Sequence, residues 1–247
     1  MKILVALSKA PDTTAKISFK DNDTKFNEDG VQWIINPYDE WYALVRVVEL
    51  KEANPDTVIH LITVGDAGND AILRKALALG GDEAIRVNAN PQDSFNVASQ
   101  IAEIAKQNNY DLIFTGKETI DYNAMAVGSM VAALLDLPFV AAAVKFDLQG
   151  KNAVVQHEIE NGEETVEVNL PVVIGCAKGM AAQRIPNMRG IIAARSKPLK
   201  TVEPVAADTL TEIVQYELPP AKGSVQLIAA DNVEELARIL HEDVKVI

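Results

Sequence analysis

Cysteine is nearly absent: Cys176 is the one example in 247 residues. A single thiol forms no internal disulfide, and no Cys/His spacing suits zinc, so the chain fits a reducing, cytoplasmic setting. Histidine is scarce too. His60, His157 and His241 fall in different stretches and read as strand or surface residues rather than a ligand set, so no metal site is expected. No run approaches the roughly 20 apolar residues of a membrane span. The opening "MKILVALSKAPD" has only a short apolar stretch and no cleavage-type ending, and reads as a first buried strand. Basic residues are outnumbered, leaving a net charge of −12 with no basic stripe, which makes nucleic acid a poor partner.

Phosphate fingerprints are missing as well. No G-x-G-x-x-G follows the first strand and no G-x-x-x-x-G-K-[ST] occurs, which argues against a dinucleotide dehydrogenase or a P-loop ATPase. The loop "ALSKAPDTT" has no glycine, which argues against adenylating chemistry. No nucleophile–base pair is evident, so no catalytic residue is assigned and a hydrolase or ligase has no support.

What is present is an alternation of strand-like and helix-like segments. Apolar residues make up 48%, enough for a full core. Strands are expected at 2–7, 57–65, 83–89 and 111–116. Helices are expected from Asn36 as N-cap, then at 69–81, 93–109 and 124–136. Strands apolar on both faces, separated by helices of about a dozen residues, indicate an α/β fold: a Rossmann-like parallel sheet with helices on both faces. Residues 16–36 read as a hairpin excursion. Residues 140–176, with turns at "LQGKN" and "ENGEE", read as antiparallel hairpin material added to the sheet edge. A short helix and an exit follow at 185–204. The organisation is then an α/β nucleotide-binding domain at 1–200 and a C-terminal arm at 201–247, ending in an amphipathic helix whose face carries Val233, Leu236, Ile239 and Leu240. The arm either folds back on its own core or clasps another chain.

In an open parallel sheet, ligands sit at the carboxyl ends of the strands. The stretch "TGKETIDYNAMAVGSMVAALLDLP" places many polar groups at one such end, followed by Ala124, Ala126, Gly128 and Ser129 at a helix mouth. Small side chains there would let a phosphate or ribose approach backbone N–H groups. Tight helix–sheet packing would explain them equally well. Lys9 and Lys117 each follow a strand and could meet over the same edge.

Taken in order, "ILVALSKAPD", "GVQWIINPYDEWYALVRVVELKE", "VGDAGNDAILRKALALGGDEAIRV", "YDLIFTGKETIDYNAMAVGSMVAALLDLP", "EIENGEETVEVNLPVVIGC" and "PNMRGIIAARSKPL" resemble the electron transfer flavoprotein family, at its small (beta) subunit. The resemblance spans about residues 1–200. It implies a heterodimer in which a large (alpha) subunit holds a redox FAD. The small subunit helps shelter that FAD, buries an AMP, makes no bonds itself and docks acyl-CoA or other flavin dehydrogenases. Electrons then pass on toward the respiratory chain, as in fatty acid beta-oxidation.

By the same resemblance the nucleotide-binding positions are Ala6, Asn36, Pro37, Tyr38, Asp39, Val64, Gly65, Asp121, Asn123, Ala124, Met125, Ala126, Val127, Gly128, Ser129 and Met130, continuing to Val131. The amides from Val127 to Met130 would meet the phosphate. A partner-recognition loop, "AKGMAAQRIPN", would use Met180 where the family has leucine, and Arg184. Departures are present. An Asn-Gln-Thr run of AMP-binding members is replaced by Met125, Ala126 and Val127, and a tyrosine near the flavin by Thr13. The pair Val127–Gly128 is closer to members that hold a second FAD and bifurcate electrons, but Asn123, Ala124 and Ser129 differ from those. AMP and a second FAD stay open, as does a stand-alone, stress-protein-like adenine-nucleotide module.

Overall fold

The computed structural model describes residues 1–91 and 93–246. Two compact units make it up. The first comprises Met1–Ile17 and Asn27–Val214; the second comprises Ser18–Phe26 and the chain from Gln215 onward.

The first unit is built in the expected rhythm. β1 (Lys2–Ala6) leads to β2 (Lys9–Pro11); β3 (Phe19–Lys20) and β4 (Lys25–Phe26) belong to the second unit; β5 (Trp33–Ile35) precedes α1 (Asp39–Ala53). Then come β6 (Val58–Val64), α2 (Asp70–Leu79), β7 (Glu83–Val87), α3 (Ser94–Lys106), β8 (Leu112–Gly116) and α4 (Val127–Leu135). The remainder is β9 (Phe139–Gln149), β10 (Asn152–Ile159), β11 (Gly162–Asn169), β12 (Val172–Cys176), α5 (Met188–Ala194) and β13 (Leu199–Val202).

Nine strands form one sheet in the order β11-β10-β9-β12-β8-β1-β6-β7-β13. From β9 through β13 every neighbour is parallel, while β10 pairs antiparallel with β9 and β11. Alternate residues of each central strand face opposite helix layers. Ile3 and Val5 pack with Leu44, Val45 and Val48 of α1 and with Leu73 and Leu77 of α2. Leu4 and Ala6 share the other layer with Ala98, Ile101 and Ala105 of α3 and Val131 of α4. Each fully buried Ile, Leu or Val contributes on the order of 1.5–3 kcal/mol, which is why strands apolar on both faces settle in the middle of such a sheet. The chain turns from β1 outward to β6 and β7, then crosses back to β8 on the far side of β1. That reversal creates a crevice at the carboxyl ends of β1 and β8.

Several expectations are corrected. Residues 172–176 are not hairpin material: β12 inserts between β8 and β9 and pairs parallel with both. The exit after α5 forms β13, which pairs parallel with β7 and closes the sheet edge. Residues 16–36 divide between two pairings. β5 pairs antiparallel with β2, while β3 (Phe19–Lys20) and β4 (Lys25–Phe26) form a separate small hairpin whose turn holds Asp21, Asn22 and Asp23 at positive φ.

In the second unit that hairpin meets Tyr216. The ring stacks on Phe19 with centroids 4.9 Å apart, and the Tyr216 amide donates to the Asp23 carbonyl at 2.7 Å. The expected last helix is shorter than its pattern: α6 (Val233–Arg238) is capped by the Asn232 side chain and passes into a π-turn at Ile239–Asp243. Ile239 of its apolar face is buried, while Val233 and Leu236 are exposed. No helix among the described residues is long and apolar enough to cross a membrane.

Candidate functional site

The crevice edge is built by two segments that interlock. Asn36 is fully buried, yet it does not cap α1 as its sequence context suggests. Its Nδ2 donates to the Glu118 carbonyl at 2.8 Å and its Oδ1 accepts from the Ile120 amide at 3.0 Å. With both ends of the amide committed to the loop after β8, Asn36 has nothing left for the helix. α1 therefore starts at Asp39 with no side-chain cap.

The turn between them is tight. Tyr38 has φ 64° and ψ −77°, and the Asp39 amide donates to the Pro37 carbonyl at 2.9 Å. This is a γ-turn of the rare positive-φ hand, strained for any residue with a Cβ. Such strain costs on the order of 1–3 kcal/mol and persists only where surrounding contacts over-determine it. The Asn36 amide bonds on one side and the first turn of α1 on the other supply those contacts. The Tyr38 ring stays 48% exposed, with the Lys178 ammonium 5.7 Å from its centroid.

The next two carboxylates are buried behind the turn. Asp39 Oδ2 accepts from the Glu118 amide at 3.2 Å, and burial raises its pKa above the ordinary value despite that bond. Glu40 accepts from the Ser8 amide at 2.6 Å and from the Ser8 hydroxyl at 2.9 Å. Burial pushes its pKa up to about 8, so at neutral pH it is largely a protonated acid. Glu40 ties the loop after β1 to α1 from inside. A methyl group added at Gly116 would lie 2.7 Å from Glu40 Cγ and 3.2 Å from Asp39 Cβ, so the end of β8 is pressed against both.

The loop from Lys117 then climbs to α4. Asn123 and Met125 both sit at φ 51°, so the backbone is not helical there and α4 begins at Val127, three residues later than its polar context predicts. Its N-cap position is Ala126, with no side-chain cap, leaving the first-turn amides of Val127, Gly128 and Ser129 for other acceptors. Asp121, Asn123, Ala124, Met125 and Ser129 are exposed and Ala126 is half-buried. Ser129 Oγ turns back to the Ala126 carbonyl at 2.9 Å.

Gly128 has a different reason to be small. A Cβ there would fall 2.6 Å from Thr115 Oγ1 and 3.0 Å from the Phe139 ring. Glycine at 128 serves close helix–sheet packing, whereas the alanines before it leave the helix mouth open.

Of the residues picked out from the sequence, Pro37, Tyr38, Asp39 and Asn123 line one recess together with Glu118, Ile120 and Lys178. Its volume is about 240 Å³, below the roughly 300–1,000 Å³ of common small-molecule sites. Ala6, Val64, Val127 and Met130 meet in the helix layer of α3 and α4. Gly65 follows β6 with its amide on the Val87 carbonyl at 3.0 Å; a methyl there would strike the Asn69 amide, so it is fixed by packing. Lys9 and Lys117 do not join over the edge. Lys9 lies 4.4 Å from the centroid of the Trp33 ring and 3.7 Å from Asp66, and Lys117 lies 3.4 Å from Glu118.

Met180 is 5% exposed and belongs to the core cluster of the α1 side of the sheet. Docking through its side chain requires that loop to open. Arg184 forms a forked ion pair with Glu52 at 2.8 and 3.1 Å, and its carbonyl accepts from the Trp41 indole at 3.1 Å. The exposed apolar groups of this region are Ile185, Met188, Ile191 and Ile192. Sequence reasoning missed Ser8, Glu40, Glu118, Ile120 and Lys178 as site residues. Glu118 and Ile120 lie in the polar stretch singled out after β8, whereas Glu40 stands at the first turn of a helix, where an acid reads as a solvated partner of the dipole. Among the described residues no group of His, Cys, Asp or Glu is arranged to hold a metal ion.

Comparison with known proteins places the chain. The model of the electron transfer flavoprotein domain matches residues 23–207. The electron transfer flavoprotein subunit beta of Syntrophomonas wolfei is 37% identical over 226 residues, covering 91% of this chain and 88% of its own. That of Bacillus subtilis is 30% identical over 261 residues and covers both chains completely. The caffeyl-CoA reductase-Etf complex subunit CarD of Acetobacterium woodii is 29% identical over 259 residues, covering 99% of this chain and 98% of its own.

Proposed function

The chain belongs to the electron transfer flavoprotein family, as a beta subunit, and from that premise we propose that it is the nucleotide-holding half of a heterodimeric electron carrier. Its partner is the large (alpha) subunit, whose FAD it helps shelter, and its own ligand is AMP. Acyl-CoA or other flavin dehydrogenases deliver electrons to the assembled pair, and the flow continues toward the respiratory chain. In this reading the chain binds and orients, and FAD supplies the redox chemistry when bound.

The observation that carries this reading is the interlock of residues 36–39 with 118–123 beside an uncapped helix start. The residues present fit an adenine nucleotide in parts. Backbone N–H groups at Val127, Gly128 and Ser129 suit a phosphate, which a side-chain anion would repel. Asp39 and Glu118, as acceptors, suit ribose hydroxyls or a base amino group rather than phosphate. The recess beside Asp39 and Glu118 is about 240 Å³ and does not include the α4 amides, so a nucleotide would reach from that recess to the helix start. A second FAD in place of AMP is the competing reading, favoured by Val127–Gly128 at the helix start.

Co-expression with the large subunit is the test. The expected product is a yellow complex with equal amounts of each chain and a flavin absorbance band. A colourless chain that elutes alone and ignores the large subunit would overturn the assignment.

A further inference from the structure

One face of α3 carries three polar side chains with a shared target. Gln100, only 3% exposed, uses both ends of its amide on one residue: Nε2 donates to the Val205 carbonyl and Oε1 accepts from the Val205 amide, each at 2.8 Å. One turn toward the N-terminus, Asn96 Nδ2 donates to the Ala207 carbonyl at 3.4 Å. At the cap, Asp93 Oδ1 accepts from the Asn96 amide at 2.7 Å, while its Oδ2 accepts from the Leu210 and Thr211 amides at 2.5 and 2.8 Å.

The spacing 93, 96, 100 puts all three on adjacent turns of one helix face. The partners 205, 207 and 210–211 run antiparallel to it as a strip without regular secondary structure. Every bond except a 3.5 Å contact to Thr211 Oγ1 goes to main chain. Burying a glutamine amide without partners is costly, and among the described residues the Gln100 side chain bonds only Val205. The helix face thus substitutes for a neighbouring strand along a stretch that has none.

We propose that α3 carries a latch, Asp93–Asn96–Gln100, that reads the main chain of residues 205–211 and holds the root of the C-terminal arm on its own core. The arm then has two parts. Its root is fixed before any partner arrives, and only the residues beyond Val214 engage a separate chain. This rests on the reading of the chain as one half of a heterodimer; the latch itself does not.

The test uses the full chain, alone and with the large subunit, followed by hydrogen exchange. In the wild-type chain alone, residues 203–212 are expected to be protected. Gln100→Met removes both bonds to Val205 at similar volume. Asp93→Asn keeps an oxygen for the Asn96 amide, and hence the cap, but replaces the acceptor of Leu210 and Thr211 with an NH₂ group. Each variant is expected to exchange about tenfold faster at 203–212, with strands β1 and β6 unchanged and the flavin-bearing complex still formed. New protection on adding the large subunit should appear beyond Val214. If α3 frays in Asp93→Asn, Gln100→Met alone decides.

Rapid exchange at 203–212 in the wild-type chain, or protection unaltered by both variants, would overturn the latch. New protection confined to 203–212 would overturn the division of the arm. Failure of the heterodimer reading shows separately, as absence of any flavin complex with the latch pattern intact.

Discussion

Asn36 and Glu40 stand four residues apart and hold opposite walls of the same joint. Asn36 satisfies a carbonyl and an amide of the loop after β8, and Glu40 satisfies the amide and hydroxyl of Ser8 after β1. Glu40 does so as a buried acid with a pKa of about 8, against roughly 4.3 in an unfolded chain. The folded state therefore holds a proton that the unfolded state releases above the ordinary carboxylate range. The stabilisation is complete below that range, declines as pH rises toward 8, and is gone above it. Unfolding by urea at pH 6 and pH 9 should show the wild-type chain weaker at pH 9, and Glu40→Gln should remove most of that difference. An equal pH response in both proteins would show that Glu40 does not titrate as described. Nothing in the local pattern distinguishes Glu40 from a solvated first-turn acid; its burial comes from Ser8 and Gly116, 32 residues before it and 76 after it.

At the scale of elements, α4 tests the distinction between packing and access. Gly→Ala in a helix interior is ordinarily stabilising by up to about 1 kcal/mol. At Gly128 the new methyl meets Thr115 and Phe139, and overpacking of that kind costs about 1–3 kcal/mol. Gly128→Ala is therefore expected to lower Tm, and a raised Tm would refute the close approach of α4 to the sheet. The succession β1, α1, β6, α2, β7, α3, β8 was readable because each of these strands is apolar on both faces and each helix keeps one apolar stripe, whereas the pairing of β2 with β5 was not. β12 was not, since its place between β8 and β9 is decided by pairing with β8, 60 residues earlier: Val172 lies opposite Leu112. β13 is four residues long with two exposed, too short for a pattern to stand out. The start of α4 was misplaced because Asn123 and Met125 adopt positive φ, which neither residue's helix propensity discloses.

For the molecule as a whole, the parallel sheet and its crevice follow from hydrophobic patterning, and the family follows from similarity along nearly the full length. The site was legible only in pieces. Residues 36–39 and 121–130 could be named through the family resemblance, but that Asn36 bonds across to Glu118 and Ile120 depends on the crossover that sets β8 beside β1. The most direct check on the account is the nucleotide content of the purified two-subunit complex, released by denaturation and counted against protein. One FAD and one AMP per complex is the predicted result. A complex that releases a single FAD and no second adenine nucleotide would contradict it.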